Sequence, residues 1–564
     1  KSSPATGSAN IPFYTIHLSG TVFNDMNGVS DNTVFGAPLP AVSTQQYYAV
    51  LIQSGLVVQS VTLDTNSVFL FNEVHPGTYS VQVGTLPGIP GNPPPATLLP
   101  LNWVYSGEFL GTGAGNDGMA DGQLQAIPML NYDVDDAFFS LQERPHADTQ
   151  THIFGANPGT SVCASIVSAW FGGTDADTGY LSYLKLINFP SNAESIEING
   201  ISYTSFTFPS GGISIPCTTT GEPIQNICVN PQSGAQLIEL NYTVYDNAGF
   251  ESLDTGYCRI QFYTLQLGGT IWNDVNGLTD FNVNGFAIPS AGASVLYVHL
   301  LNSSHTVVMQ SIVDPLGHYL FSGLDGGTYH VQIGVNAYAS GQVITAGEFP
   351  PAWVATGEQI GTGPGHDGLP NGLLENILLQ NADILDANLA MEELPQPQIH
   401  AATLQPNIGA TVESTVAPSL FVSTDNNGGT ITSLRIIAFP EHAQSIRVNG
   451  MLYSSSTFPT SGLLIPVNSS GQPAVSISAD PVDGIVSVDI PFKSTDNAGM
   501  ESQVTGYVRL PYSMPLPDFN VAYTGLVISG NVSTNDKVPA GTSYATAIAA
   551  ASNPSSAIPV VNSN

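Results

Sequence analysis

Charge is scarce in this 564-residue chain: Asp, Glu, Lys and Arg together make up 9% of it, against roughly 25% in ordinary globular proteins. Basic residues are scarcer still, nine Lys and Arg against 43 Asp and Glu, for a formal net charge of −34. A chain so short of cationic side chains has no basic patch to offer nucleic acid or an anionic membrane surface. We therefore expect no nucleic-acid partner. No apolar run reaches the about 18–20 residues of a spanning helix, so we expect no membrane insertion.

Other absences narrow the class further. No convincing amphipathic helix occurs; ATAIAAAS at 545–552 is the nearest candidate and it is short. The opening KSSPATGSAN lacks the apolar core of a signal peptide, as a mature secreted chain or a fragment would. CxxC and HExxH are both missing, which argues against zinc. GTSYATA at 541–547 superficially resembles a subtilase nucleophile segment, and DTG occurs at 177–179 and 254–256. No HGTH-like segment accompanies them, so we expect no enzyme.

What is present is repetition. Apolar residues reach 42%, with 57 Gly and 41 Pro, a composition that folds rather than stays disordered. At an offset of 250, NWVYSGEFLGTGAGNDGMADG (102–122) matches AWVATGEQIGTGPGHDGLPNG (352–372), and YDNAGFESLDTGYCR (245–259) matches TDNAGMESQVTGYVR (495–509). Near the start the offset is 249: GTVFNDMNGVSD (20–31) returns as GTIWNDVNGLTD (269–280). The chain is a two-domain unit, A then B, present twice.

Short alternating runs such as TYSVQV (78–83) and SIEING (195–200), bounded by Gly, Pro, Asn and Asp, read as strands. Asn199-Gly200 and Asn449-Gly450 are hairpin-turn pairs. The expected fold is all-β: tandem β-sandwich domains in a rod. We place A1 at 16–145, B1 at 146–264, A2 at 265–394 and B2 at 395–513. Residues 1–15 resemble the last strand of an incomplete B domain, and 514–564 the opening of a further domain or a strand-exchange tail.

The acidic residues recur at matched places. Asp25, Asn27 and Asp31 correspond to Asp274, Asn276 and Asp280. Oxygen side chains at alternate steps around a Gly suit a hard cation such as Ca2+, which takes six to eight oxygens. Asp133 and Asp136, matched by Asp383 and Asp386, are candidates to complete that shell. In the B domains Asp175/Asp425 and Asp246/Asp496 persist in TDADTG, TDNNGG and DNAG segments. Asx turns without metal are the competing reading. For TGAGNDGMADG (112–122) and TGPGHDGLPNG (362–372), in which only Asp117/Asp367 is fixed, a turn is the better reading.

All four Cys lie in B1; the B2 counterparts of Cys163, Cys217, Cys228 and Cys258 are Glu413, Val467, Ser478 and Val508. Joint loss is what paired cysteines predict, and four allow three connectivities. Cys163 with Cys258 and Cys217 with Cys228 is the favoured set, in an oxidising compartment. The matched basic residues, Lys185/Arg435 and Arg259/Arg509, are expected to anchor local acidic groups.

GTVFNDMNGVSD and GTIWNDVNGLTD resemble the opening of the B-type domains of serine-aspartate-repeat and collagen-binding surface adhesins. With GTGAGNDG and NDKVPAGT, the likeness is closest to the large secreted repeat proteins of Bacteroidota. The resemblance implies calcium-stabilised prealbumin-like sandwiches in a cell-surface stalk, adhesin or filament, exported by the type IX route. The B domains look like bacterial Ig-like or cadherin-like repeats, whose Asp-rich ends bind calcium at junctions. Many B-type adhesin domains carry a Lys–Asn isopeptide bond, but 16–145 and 265–394 contain no Lys.

The sequence thus predicts an extracellular structural protein with structural Ca2+ and no enzymatic role. Its partners would be neighbouring domains, further copies of itself, or surface glycans or proteins. Self-polymerisation by terminal strand exchange is the alternative. A carbohydrate-binding module ranks third, since only four Trp exist and Trp103 and Trp353 sit at matched positions.

Overall fold

The computed structural model describes residues 15–31, 33–39, 45–111, 118–159, 161–177, 179–280, 282–344, 348–361, 369–407, 411–484 and 486–513. Both terminal segments singled out in the sequence, apart from Thr15, lie outside these residues. So do the candidate helix 545–552 and most of the matched loops at 112–122 and 362–372. Contacts divide the chain into two units, Lys1–Thr264 and Leu265–Asn564. The described residues are strands and loops, with 3-10 turns at Gly28–Asp31, Ser168–Trp170, Gly277–Asp280 and Pro418–Leu420.

In the first unit, residues 16–143 form two sheets. The first runs Ala37–Pro38, Ile16–Asn24, Ala137–Glu143, Trp103–Leu110, with Val68–Val74 also paired to Ile16–Asn24. The other runs Leu56–Thr62, Tyr48–Gln53, Gly77–Gly84, Gln123–Met129. Their alternating inward residues, among them Leu18, Phe69, Phe71, Val81, Ile127 and Phe139, form one core. Residues 149–263 build a second sandwich. Its larger sheet runs Thr149–Ala156, Gly256–Tyr263, Gln236–Asp246, Leu181–Leu186, Ile213–Pro216. The facing sheet runs Ala164–Ser165, Ile227–Pro231, Ala193–Ile198, Ile201–Tyr203, around Leu184, Ile196, Val229 and Tyr242.

The second unit has the same two architectures. Leu265–Asn273 lies between Phe286–Ala287 and Ala387–Glu393, with a second sheet built around Tyr297–Leu301 and Gly327–Gly334. Beyond it, Gly506–Ser513, Val486–Asp496 and Ile431–Ile436 form the heart of a six-stranded sheet. That sheet faces the four strands that include Ile477–Pro481 and Ala443–Val448. At the Asn-Gly hairpins, φ is 51° and 81° at Asn199 and Gly200, and 49° and 80° at Asn449 and Gly450. Positive φ at both central residues is the turn whose twist matches its strands, and Asn-Gly tolerates it best.

One strand pairing determines which residues gather at the end of each A sandwich. Ile16–Asn24, early in the first sandwich, runs parallel to Ala137–Glu143, its last strand, with Asn24 opposite Leu141. Leu265–Asn273 and Ala387–Glu393 pair the same way, with Asn273 opposite Met391. Parallel neighbours end at the same edge, so both deliver their C-terminal residues to one end of the sandwich.

The cysteines pair differently from expectation. Cys163 is bonded to Cys228, with Cα atoms 5.4 Å apart. Cys217 is half-buried and Cys258 buried, and neither is bonded. The segment after Cys163 pairs with Ile227–Pro231 in the smaller sheet, Ser165 opposite Cys228. Cys258 lies in the larger sheet opposite Gln150 and Leu240. In the second unit Glu413 and Ser478 replace the bonded pair. There Arg447 Nε lies 3.0 Å from Glu413 Oε1 and its Nη2 2.7 Å away, and the Ser478 hydroxyl donates to the same carboxylate. A charged network stands where the other copy has a covalent staple.

Candidate cation site at the junction of paired sandwiches

Asp25 follows the last residue of its strand, and its amide donates to the Leu141 carbonyl at 3.1 Å. Gly28, at φ +54°, turns the loop so tightly that a Cβ there would lie 3.2 Å from the Ala248 side chain, in the next sandwich. That neighbour belongs to DNAG, the hairpin closing Gln236–Asp246. Asn247 Nδ2 donates to the Met26 carbonyl at 2.8 Å, and Asn24 Nδ2 to the Asp177 carbonyl at 3.2 Å. Gln142 Nε2 donates to Asp246 Oδ2 at 2.8 Å. The Glu143 amide donates to Asp177 Oδ2 at 3.0 Å. Three acidic loops, one from the first sandwich and two from the second, therefore meet at one junction.

The same construction recurs in the second unit. Asn497 Nδ2 donates to the Val275 carbonyl, and Asn273 Nδ2 to the Asn427 carbonyl at 2.9 Å. Gly277, at φ +52°, has Ala498 3.2 Å from where a Cβ would stand. Gly179 and Gly429 are equally constrained: a Cβ would lie 2.3 Å from Asp175 Oδ2 and 2.2 Å from Asp425 Oδ2.

Burial without partners distinguishes these junctions. Asp25 and Asp274 are both 0% exposed, and neither oxygen of either accepts a hydrogen bond of normal geometry. In the first unit both Asp175 oxygens, Asn24 Oδ1 and Gln142 Oε1 are likewise unpartnered. In the second unit the same holds for both oxygens of Glu392, Asp425 Oδ1, Asp496 Oδ2 and Asn273 Oδ1. Leaving a buried carboxylate without donors costs several kcal/mol, roughly, unless a countercharge reaches it.

This burial shifts the titration of the carboxyls. Burial, then the nearby Asp31, pushes the Asp25 carboxyl up to about 7, although the Asn27 amide and Ser140 hydroxyl ease the charge slightly. Asp274 is pushed up to about 7 by burial and then Asp280. Glu392 reaches about 9, through burial and then Asp496, Asp425 and Asp274. Burial and then Asp177 raise Asp175; burial and then Asp496 raise Asp425 to about 6. Asp246 and Asp496 are also raised by burial, against the pull of backbone amides in their own hairpins. On the rim the exposed Asp31 accepts from Thr33 N and Oγ1 at 2.9 and 2.7 Å, which holds its carboxyl below the usual range. Asn27 lies on the same loop and bonds Asp31; Asn276 stands likewise beside Asp280.

Of the residues singled out in the sequence, Asp25, Asn27, Asp31, Asp175 and Asp246 come together, as do Asp274, Asn276, Asp280, Asp425 and Asp496. Asp133 and Asp136 do not join them. Asp133 Oδ1 accepts the His17 amide at 2.8 Å, and Asp383 Oδ1 the Gln266 amide at 2.8 Å, at the opposite end of the strand. Eight residues of strand at about 3.3 Å each separate His17 from Asp25, roughly 26 Å. Asp136 and Asp386 are exposed beside Gly111 and Gly361, near the same far end. Sequence reasoning missed Gln142/Glu392 and Asp177/Asn427. The second Asp of TDADTG was a visible signal; Gln142, inside an apolar strand, gave none.

The donors at each junction are carboxylate, amide and backbone oxygens, the chemistry of a hard cation rather than of zinc or copper. Among the described residues the one group with three His, Cys, Asp or Glu ligand atoms all within 4.8 Å of one another is Cys163, Glu197 and Cys228. Its disulfide removes both thiolates as ligands. At the junctions no three of the described carboxylates come within that distance of one another. Basic side chains serve structural ends: Arg259 pairs with Glu239 at 2.6 Å, Arg509 with Asp489 at 3.3 Å, and Arg435 with Glu501.

No known family model matches this chain, and no curated protein matches it. Solved structures that align loosely with this chain include BcpA, the major pilin subunit of Bacillus cereus, at 11% identity and TM-score 0.29, over 67% of this chain and 99% of that one. The full-length major pilin SpaD from Corynebacterium diphtheriae aligns at 9% identity and TM-score 0.23, over 69% and 100%. A tetra-tandem repeat from the extending region of a large adhesion protein aligns at 10% identity and TM-score 0.18, over 88% and 99%. Overlap this loose fixes neither a common domain order nor a common function. Among the described residues no helix is long and apolar enough to cross a membrane.

Proposed function

We propose that this chain is a structural extracellular protein, part of a cell-surface stalk or filament, in which Ca2+ locks each A sandwich to the B sandwich after it. The observation that carries the reading is the pair of junctions at which buried carboxylates from both partners lack donors. A divalent ion there would offset two of the negative charges among Asp25, Asp175 and Asp246 in one unit, and among Asp274, Glu392, Asp425 and Asp496 in the other. Because no three of these carboxylates converge within 4.8 Å, Ca2+ binding would draw the loops inward, with amide oxygens and water completing the shell.

The disulfide between Cys163 and Cys228 supports an oxidising compartment. The motifs resembling secreted repeat proteins support export, and the type IX route is part of the proposal. Polymerisation by terminal strand exchange would reside in segments outside the described residues. Calorimetric titration of the intact chain with Ca2+ tests the reading: it predicts at least two sites, and a flat titration would refute it.

A further inference from the structure

The two junctions are built to one charge count by two different routes. Of the buried acidic positions, Asp25/Asp274, Asp175/Asp425 and Asp246/Asp496 carry the same residue type in both units. The other two positions change, in opposite directions. Gln142 becomes Glu392, which adds a carboxylate; Asp177 becomes Asn427, which removes one. The first unit holds Asp25, Asp175, Asp177 and Asp246; the second holds Asp274, Glu392, Asp425 and Asp496.

Both exchanging positions lie at the junction. Gln142 is 0% exposed; its Nε2 is engaged by Asp246, which leaves Oε1 as an unpartnered acceptor. Glu392 is 1% exposed with both oxygens unpartnered, and as a carboxylate it has no proton to give Asp496, whose Oδ2 is then unpartnered too. Asp177 is 4% exposed and lies across the junction, against the Glu143 amide. Asn427 keeps the turn bond of Asp177, its Oδ1 accepting from Gly429 N at 3.1 Å as Asp177 Oδ1 accepts from Gly179 N at 3.1 Å. Its Nδ2 has no partner. Basic neighbours do not explain the exchange: Arg144 Nη1 donates to the Glu251 carbonyl, and Arg435 and Lys493 pair with Glu501.

We infer that each junction is a cation site requiring four carboxylates, and that the fourth is transposable: the B sandwich supplies it as Asp177 in one unit, the A sandwich as Glu392 in the other. This rests on the proposed cation role of the junctions. A structural Asx turn would need neither the same total nor a change on the facing strand. A metal shell needs the total and is indifferent to which chain segment supplies it, provided the oxygen reaches the ion. The consequence is that the second site draws two carboxylates from each sandwich, whereas the first draws three from B and one from A.

Rescue by transposition is the test. The intact chain is titrated with Ca2+ by calorimetry as wild type, Asp177→Asn, Gln142→Glu, and the double variant, which reproduces the second unit's arrangement in the first. The unaltered second site serves as internal reference, and circular dichroism checks each fold. Asp177→Asn should weaken one site by about tenfold or more, and the double variant should return it to within about threefold of wild type. The mirrored pair Glu392→Gln and Asn427→Asp provides the same cycle if the first set fails to fold. A double variant no tighter than Asp177→Asn, with wild type binding two ions, overturns the transposition alone. Absence of Ca2+ binding by wild type overturns the cation reading as well.

Discussion

Gln142 reaches from one sandwich into the next and donates a 2.8 Å hydrogen bond to Asp246, 104 residues later in the chain. Its counterpart Glu392, when ionised, faces Asp496 with no proton to share. The same geometric seat is therefore a hydrogen-bonded link in one unit and, once Glu392 ionises, a like-charge contact in the other.

Neutralising a buried ligand should have opposite effects with and without the ion. Asp25→Asn removes a buried carboxylate that accepts no hydrogen bond of normal geometry, so in chelator it should stabilise the chain by about 1–3 kcal/mol. In millimolar Ca2+ the same variant should be less stable than wild type. Thermal melts of both proteins in both buffers check the crossing.

pH dependence carries a sign. Burial raises Asp25 and Asp274 to about 7 and Glu392 to about 9, so without cation the folded state holds protons that the unfolded chain releases near pH 4. Such groups stabilise fully below their unfolded pKa, and that contribution is lost as pH rises through the folded value. In chelator the melting temperature should fall from pH 5 to pH 8. In Ca2+ that fall should flatten or reverse, because the ion replaces the protons; melts across that range measure it.

The two B sandwiches should differ in their response to reductant. Peptide mapping without reduction should recover Cys163 linked to Cys228, with the buried Cys258 alkylated only after unfolding. Replacing both bonded cysteines with Ser should cost about 2–4 kcal/mol. Glu413→Ala, which frees Arg447 in the other copy, should cost less than that, because the Arg447 side chain is partly exposed to solvent. Urea melts of the two variants make the comparison.

How much of the fold and the junctions was legible in the sequence depended on chain distance. The repeat, the Asn-Gly hairpins and the Asp25 loop were readable because each is local. Asp133 and Asp136 misled because acidic residues late in the domain looked available to complete the shell. The parallel pairing of Ile16–Asn24 with Ala137–Glu143 instead brings 141–142 beside Asp25 and leaves 133 beside His17. Cys163 misled similarly. Its position in the sequence suggests the first strand, yet the strand parallel to Gly256–Tyr263 is Thr149–Ala156, and Cys163 lies just before the short strand Ala164–Ser165 of the facing sheet. Strand partners far apart in sequence decided both outcomes, and no local pattern encodes them.

The central claim is most directly tested by the melting temperature of the intact chain near pH 7.5, in millimolar Ca2+ and in excess chelator. Saturated sites bound only in the folded state should raise it by about 5 °C or more, reversibly. Identical melts in the two buffers would contradict cation-locked junctions.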